Sequence, residues 1–366
     1  MDKLEYSFRQ LLHAQNKYQY LCIYGAGVRA KSIWYPFFKD FGIYIDFFCD
    51  SDPDKWHKEV IDNRICIMPQ ELMKYKGNVL CIVCTSWEKQ QEMECYLLEN
   101  GMDVMKANQG WFSVKDVVEK YLDIQLSQEE FPHPSLGEYD REINPDEKIA
   151  VYTSIIGDYD ELKQPETIED RCDYYYLGIE KPKQSGVYRW IDISGIPEIQ
   201  TLDNGRINRF CKLHPHLFFK DYKYSIYIDG SFKIKGRISH ITSKISDIGI
   251  AVYGCEIKDT YGQAAIGSIK RKDDAKVVIR QMRRYLEEGF PRNYGFSENG
   301  IMAREHHNEE CIKIMDTWWN EILTGSGRDQ LSFFYSVWKN GYQPKDIGKI
   351  GKSCRMAPEV FLHKHA

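Results

Sequence analysis

The stretch Tyr224-Ser225-Ile226-Tyr227-Ile228-Asp229-Gly230-Ser231 decides how this chain is read. Five β-prone, mostly apolar residues run into a carboxylate, a glycine and a hydroxyl. A buried strand with that ending delivers hard oxygen ligands to the carboxyl edge of a sheet. In α/β folds ligands bind at that edge, and Mg2+ or Mn2+ takes oxygen ligands of this kind. The fold class expected is α/β, with Asp229 and Ser231 as candidate metal ligands.

The bulk composition is compatible with that fold. The chain has 366 residues, 43% hydrophobic and 28% charged, enough for two ordinary domains with a substantial core. A formal net charge of −5 argues against nucleic acid as the main partner. No segment reaches the roughly 18–20 apolar residues of a membrane span. The opening Met1-Asp2-Lys3-Leu4-Glu5 lacks the apolar core of a secretion signal. Eleven scattered cysteines, several inside apolar runs, read as reduced thiols in a cytoplasm. Cys81 and Cys84 have CxxC spacing, but alternation along a strand would send their thiols to opposite faces. The 25 tyrosines suit stacking on carbohydrate.

Working outward to the N-terminal side, residues 1–122 read as one α/β domain. Residues 4–16 have helical periodicity. The strand Tyr20–Tyr24 runs into Gly25-Ala26-Gly27-Val28-Arg29-Ala30 and a helical stretch to Asp40. Strand, GxGxxA and helix together are the setting in which a glycine turn and a helix N-terminus hold a phosphate. A second strand, 43–48, leads to Asp50, at the spacing where a carboxylate holds a ribose hydroxyl. Gly25, Gly27 and Asp50 are therefore nucleotide-binding candidates, with NAD or another nucleotide as ligand. A fold-forming glycine turn without a ligand is the competing reading. Further α/β units follow through Lys106. The segments IYGAGVRAKSI and FFCDSDPDKW resemble the Rossmann-like N-terminal domain of bacterial sugar acyltransferases and surface-polysaccharide proteins. No catalytic dyad for hydride transfer stands out after it, which disfavours a dehydrogenase.

Residues 123–147 carry prolines, many acids and no periodicity, and read as a linker. A second domain is expected over 148–366. Its first strand, beginning at Lys148, ends in Thr153 and Ser154 and opens at Gly157, a suitable nucleotide cradle. A helix near 208–214 stops before Pro215 and puts Arg209 and Lys212 one turn apart on one face. That face can meet a diphosphate, or simply be a solvated basic surface. A helix over about 270–288 closes at Gly289. Residues 296–304 read as a loop entering a strand, with Glu298 and Asn299 in the loop. A helix over 308–323 has an apolar stripe at Ile312, Met315, Trp319 and Ile322. Asp329 and Gln330 open the last clear helix, where a carboxylate can also be a plain cap. Residues 342–366 are partly basic and read as a lid over the diphosphate or as plain surface.

In order, VYTSIIGDYDEL, NRFCKLHPHLFF, DYKYSIYIDGSFKI, EGFPRNYGFSENGIMAREH, WWNEI and RDQLSFFYSVWKNG resemble a glycosyltransferase-like family. That family is shared by bacterial capsule-cluster proteins and plant mucilage proteins. The resemblance implies a GT-A-type fold and transfer of a sugar from a nucleotide-sugar donor, most readily a UDP-sugar. It implies a divalent cation, Mn2+ or Mg2+, at Asp229. Ser231 departs from the second acidic residue of the general pattern, and His363 or His365 is the candidate to complete the site. It implies sugar- or acceptor-facing roles for Glu298, Asn299, Asp329 and Gln330, with Glu298, Asp329 and Gln330 as the catalytic candidates. The acceptor would be a glycan or a lipid-linked saccharide of a bacterial surface polysaccharide, made in the cytoplasm at the inner membrane face. Three alternatives remain at this stage. They are a non-catalytic nucleotide-sugar-binding protein, an NAD-dependent sugar-modifying oxidoreductase using residues 25–30, and a hydrolase.

Overall fold

The computed structural model describes residues 3–85, 87–126, 130–157, 160–270 and 273–363. The chain divides into two compact units: Met1–Tyr121 with Ala265–Lys272, and Leu122–Ala264 with Asp273–Ala366. Both are mixed α/β, and both sheets are rich in parallel pairs.

The first unit holds β1 (Tyr20–Tyr24), β2 (Phe47–Cys49), β3 (Glu59–Ile61), β4 (Arg64–Ile67), β5 (Val79–Val83) and β6 (Asp103–Lys106). Their order is β3-β4-β2-β1-β5-β6, all parallel except the β3–β4 pair. The chain leaves β1 towards β2 and later returns to β5 on the other side. The carboxyl end of β1 therefore lies at the point where the strand order reverses, which is where such sheets open a crevice. The run after Gly27 is helical, but its middle, Ala30–Trp34, is a π-helical turn that continues into an α-helix, Tyr35–Asp40.

The second unit carries β7 (Ile149–Ser154), β8 (Cys172–Gly178), β9 (Arg189–Asp192), β10 (Tyr224–Ile228), β11 (Phe232–Ile234), β12 (Ile250–Gly254), β13 (Ser297–Glu305), β14 (Gly348–Gly351) and β15 (Val360–Leu362). Seven of them form one sheet in the order β14-β12-β13-β10-β7-β8-β9, and β11 pairs with β15 separately. β10 is central, parallel to β7 and antiparallel to β13, and all five of its residues are buried. This is why it reads as a continuous apolar run. Tyr224, Ile226 and Ile228 feed the core on one face, while Tyr227 points to the other, against the helix Asn204–Leu213.

Two sequence expectations change here. Residues 297–305 are strand, so Glu298 and Asn299 sit on β13, paired with β12 across a bulge, and not in a loop. The helix Glu309–Thr324 buries Cys311, Ile314, Met315, Trp318 and Ile322, so its inner face is turned about one residue from the expected stripe. Trp318 is fully buried and Trp319 packs edge-on against Phe210. All eleven cysteines are free thiols. No helix among the described residues is long and apolar enough to cross a membrane.

Candidate functional site

The turn after β10 sets the frame. Asp229 N–H donates to Gly300 O at 2.8 Å, extending the β13 pairing past the strand end. Asp229 O accepts from Phe232 N–H at 2.9 Å and closes the turn. Ser231 N–H and Oγ–H both donate to Asp229 Oδ1, at 3.2 and 3.1 Å. β15 lies antiparallel on β11, and His363 N–H donates to Ser231 O at 2.9 Å. Asp229, Ser231 and His363 are thus neighbours along the backbone, and the buried His363 Nε2 has no hydrogen-bond partner among the described residues. His365 lies outside the described residues.

Behind the turn stands an ion cluster. The helix Asn204–Leu213, capped by Asp203, carries Arg209 and Lys212 inward. Lys212 has 2% of its side chain exposed, and its ammonium donates to the Asp329 carboxylate. Arg209 Nε lies 3.5 Å from the other Asp329 oxygen. Asp329 opens a short 3-10 turn but does not cap the next helix, which overturns the cap alternative. Its backbone carbonyl accepts from Trp318 Nε1–H at 2.7 Å. Burial works against ionising Asp329, yet Arg209, Lys212 and Arg328 outweigh it and hold the carboxyl at about 2. Burial pulls the Lys212 pKa down against the pull of Asp329, and Asp229 also acts on it. The Lys212 ammonium sits 5.1 Å from the centroid of the Tyr227 ring.

Polar atoms without partners gather near these strand ends. The hydroxyls of Thr153 and Tyr227, Asn299 Nδ2 and Arg328 Nη1 are buried and make no hydrogen bond to any described residue. Buried polar atoms take water, an ion or a ligand as partner, so this edge is suited to a polar ligand. Ser154 lies against the Cys211 thiol, and its carbonyl accepts from Asn208. Gly157 has φ +69°, turning the chain away from β7 beside Asn204. Asp158, next in sequence, lies outside the described residues.

The remaining candidates separate. Asn299 Oδ1 accepts from Ser297 Oγ at 2.5 Å, and Gln330 Nε2 reaches Ser297 O at 3.4 Å, so both line one end of β13. Glu298 is tied elsewhere. Its Oε2 accepts from Ser353 Oγ at 2.6 Å, Cys354 N at 2.9 Å and the Cys354 thiol at 3.2 Å. Gly25, Gly27 and Asp50 belong to the first unit. Gly25 has φ +104° and lies against Thr85. Asp50, expected at a ribose, spends its oxygens on its own chain: Oδ2 accepts from Ala26 N–H at 2.7 Å and Lys55 Nζ at 3.0 Å, and Oδ1 from Asp52 N–H at 2.9 Å.

Sequence reasoning gave no role to Lys163, Tyr227 or Arg328. Lys163 Nζ donates to Gly230 O at 3.0 Å, inside the Asp229–Ser231 turn. Tyr227 faces the cluster from β10, one strand period before Asp229, a placement that alternation alone could have supplied.

Among the described residues no three His, Cys, Asp or Glu side chains converge as a metal group. The turn offers one carboxylate and one hydroxyl, and the His363 backbone joins it at Ser231. That set suits part of a Mg2+ or Mn2+ shell, with the remaining positions falling to ligand oxygens and water.

A family model described as TOD1/MUCI70, glycosyltransferase-like domain, matches residues 174–365, just over half of the chain. A protein of Arabidopsis thaliana described as "Probable hexosyltransferase MUCI70" is 22% identical over 214 residues, spanning 50% of this chain. The match covers 36% of that protein's own length.

Proposed function

Because the chain belongs to the TOD1/MUCI70 glycosyltransferase-like family, we propose that its second unit moves a sugar from a nucleotide-sugar donor to a glycan or lipid-linked acceptor. One observation carries this reading. Arg209, Lys212 and Arg328 outnumber Asp229 and Asp329 at strand ends where Tyr227 and Asn299 hold buried polar atoms with no partner among the described residues. Excess positive charge and idle donors in a low-dielectric edge suit a diphosphate. The central β9-β8-β7-β10 parallel run with antiparallel β13 supports a GT-A-type layout for this unit. The bacterial surface-polysaccharide setting and the UDP preference are read from the sequence resemblance alone.

The residues divide the work as follows. Arg209 is 24% exposed in its side chain and can turn from Asp329 to a phosphate oxygen, whereas Lys212 is sealed in. Asp329 stays ionised at working pH, so it is no general acid; it orients the two cations. Asn299 and Gln330 offer amide groups to sugar hydroxyls. Asp229 and His363, with Ser231, would hold a divalent cation. When bound, such an ion neutralises charge on the departing diphosphate. Glu298 holds the Ser353–Arg355 turn through its Oε2 in this arrangement, which favours a second reading in which the site binds its donor without turnover.

For the first unit the strand order and the Gly25 turn support a Rossmann-like layout with a nucleotide, NAD among the candidates, at Gly25–Gly27. The test for both units is a thermal-shift screen with UDP- and GDP-sugars, with and without Mn2+, and with NAD(H), followed by donor hydrolysis. A ligand at 100 times its Kd adds about 2.7 kcal/mol, a shift of several degrees. No shift with any nucleotide sugar rejects the transferase reading, and a shift without turnover, even with candidate acceptors, selects the second one.

A further inference from the structure

Lys163 lies in the segment that follows β7 and returns over the Asp229–Ser231 turn. Its ammonium donates to Asp160 Oδ1 at 2.5 Å and to Gly230 O at 3.0 Å. The two side chains are 15% and 14% exposed, covered yet not sealed. A lysine ammonium has three N–H donors in rotating geometry. Asp160 and Gly230 use two of them.

A latch between loop and turn would need only the bond to Gly230. The added carboxylate compensates a charge that a latch would not require. Of the other cations here, Lys212 is sealed, and Arg209, the more open one, is shared with Asp329 and serves as a second phosphate contact. A nucleoside diphosphate gains negative charge on its terminal phosphate as its bond to the sugar breaks. A partly open ammonium at the strand end is the group suited to meet that charge.

We infer that Lys163 is a further catalytic residue of this site, donating its third N–H to the leaving diphosphate while Asp160 and Gly230 O hold the ammonium in place. This rests on the nucleotide-sugar reading above. In the transfer, the bond between anomeric carbon and phosphate oxygen breaks and its electron pair stays on the phosphate. The acceptor oxygen forms the new bond to that carbon and releases its proton to solvent. Lys163 keeps its own proton throughout and contributes charge and a hydrogen bond.

The test is calorimetric titration of the full chain with UDP, UMP and uridine, and with the guanosine series, in EDTA and in Mn2+. The variants are Lys163→Met, Lys163→Gln and Lys163→Arg. Lys163→Gln can still donate to Gly230 O, so it keeps the latch and removes the charge. The expected result is diphosphate binding weakened roughly tenfold or more in Lys163→Gln and Lys163→Met. Nucleoside binding stays unchanged, the salt dependence of diphosphate binding becomes shallower, and Lys163→Arg recovers most of the loss. Equal weakening of diphosphate and nucleoside, or unchanged diphosphate binding in Lys163→Gln, overturns the inference and leaves the donor reading standing. Failure of every nucleotide to bind the unmodified protein in either buffer overturns the donor reading, and this inference with it.

Discussion

Lys212 and Asp329, 117 residues apart in sequence, form a buried ion pair beside the turn that carries Asp229. The pair joins the helix Asn204–Leu213 to the 3-10 turn Asp329–Leu331. Removing one partner leaves the other charge in the core, where it costs about 3–5 kcal/mol. Asp329→Ala is therefore expected to lower stability by that order and to release Arg209 as well. The double variant Lys212→Met/Asp329→Leu should recover most of the loss. Urea denaturation of the singles and the double checks this. Additive losses would show that the two side chains are not coupled.

The strands of the two units are legible in the sequence for unequal reasons. Tyr20–Tyr24 and Tyr224–Ile228 are continuous apolar runs because each is buried on both faces, and such runs announce themselves. β12 at Ile250–Gly254 does not stand out in the sequence, and Ser297–Asn299 has the composition of a loop. Its polar composition hides a backbone whose partners, Tyr253 and Gly254, lie more than forty residues upstream across a bulge. Trp318 and Trp319 differ by one helical position, finer than a stripe of apolar residues can fix. Arg209 and Lys212 were found by their i,i+3 spacing, but their mate Asp329 is a tertiary partner. Lys163 was invisible for the same reason: its acceptor, Gly230 O, comes 67 residues later.

Histidines give the second unit a pH dependence. His214 and His306 are buried, donate to the carbonyls of Phe210 and Phe219, and are pushed by burial to about 4. Arg304 and neighbouring histidines add to that depression. A depressed folded-state pKa means that the unfolded chain binds more protons between about 4 and the ordinary 6.5. Stability should be level above pH 6.5 and fall as pH drops from 6.5 towards 4, by up to about 3 kcal/mol per histidine. Asp329, held at about 2, extends the acid loss below the ordinary carboxylate range. Denaturation midpoints at pH 7.5, 6 and 5 measure the slope, and His306→Gln should make it shallower. An unchanged midpoint across that range would contradict the assignment.

At the first glycine turn, Gly25 has φ +104°, and a Cβ there would lie 2.4 Å from Thr85 Cγ2. Gly25→Ala meets both a backbone penalty and a clash, together about 2–4 kcal/mol. Thr85→Ser removes the methyl group and should recover only the steric part. Thermal melts of the two singles and the double separate the terms. Full recovery in the double would mean that the backbone conformation costs nothing.

Glu298 and Cys354 supply a chemical readout of the C-terminal turn. Cys354 is 3% exposed, and burial together with the neighbouring Glu298 carboxylate raises its thiol pKa far above the usual range. Buried, protonated thiols are inert. Cys95 is the exposed cysteine and Cys255 is partly covered. Titration of the native protein with a thiol reagent should therefore show one fast thiol, Cys95, and a slower one, Cys255. Glu298→Ala removes the acceptor for Ser353 Oγ, Cys354 N–H and the Cys354 thiol at once. The turn should then open, Cys354 should join the reactive set, and amide exchange at Cys354 should rise by about tenfold or more, the factor that corresponds to loss of one good hydrogen bond. Glu298→Gln keeps an acceptor oxygen and should give an intermediate rate. If Cys354 stays as inert in Glu298→Ala as in the parent, Glu298 does not hold the turn, and its carboxylate becomes available again as a base for the acceptor hydroxyl.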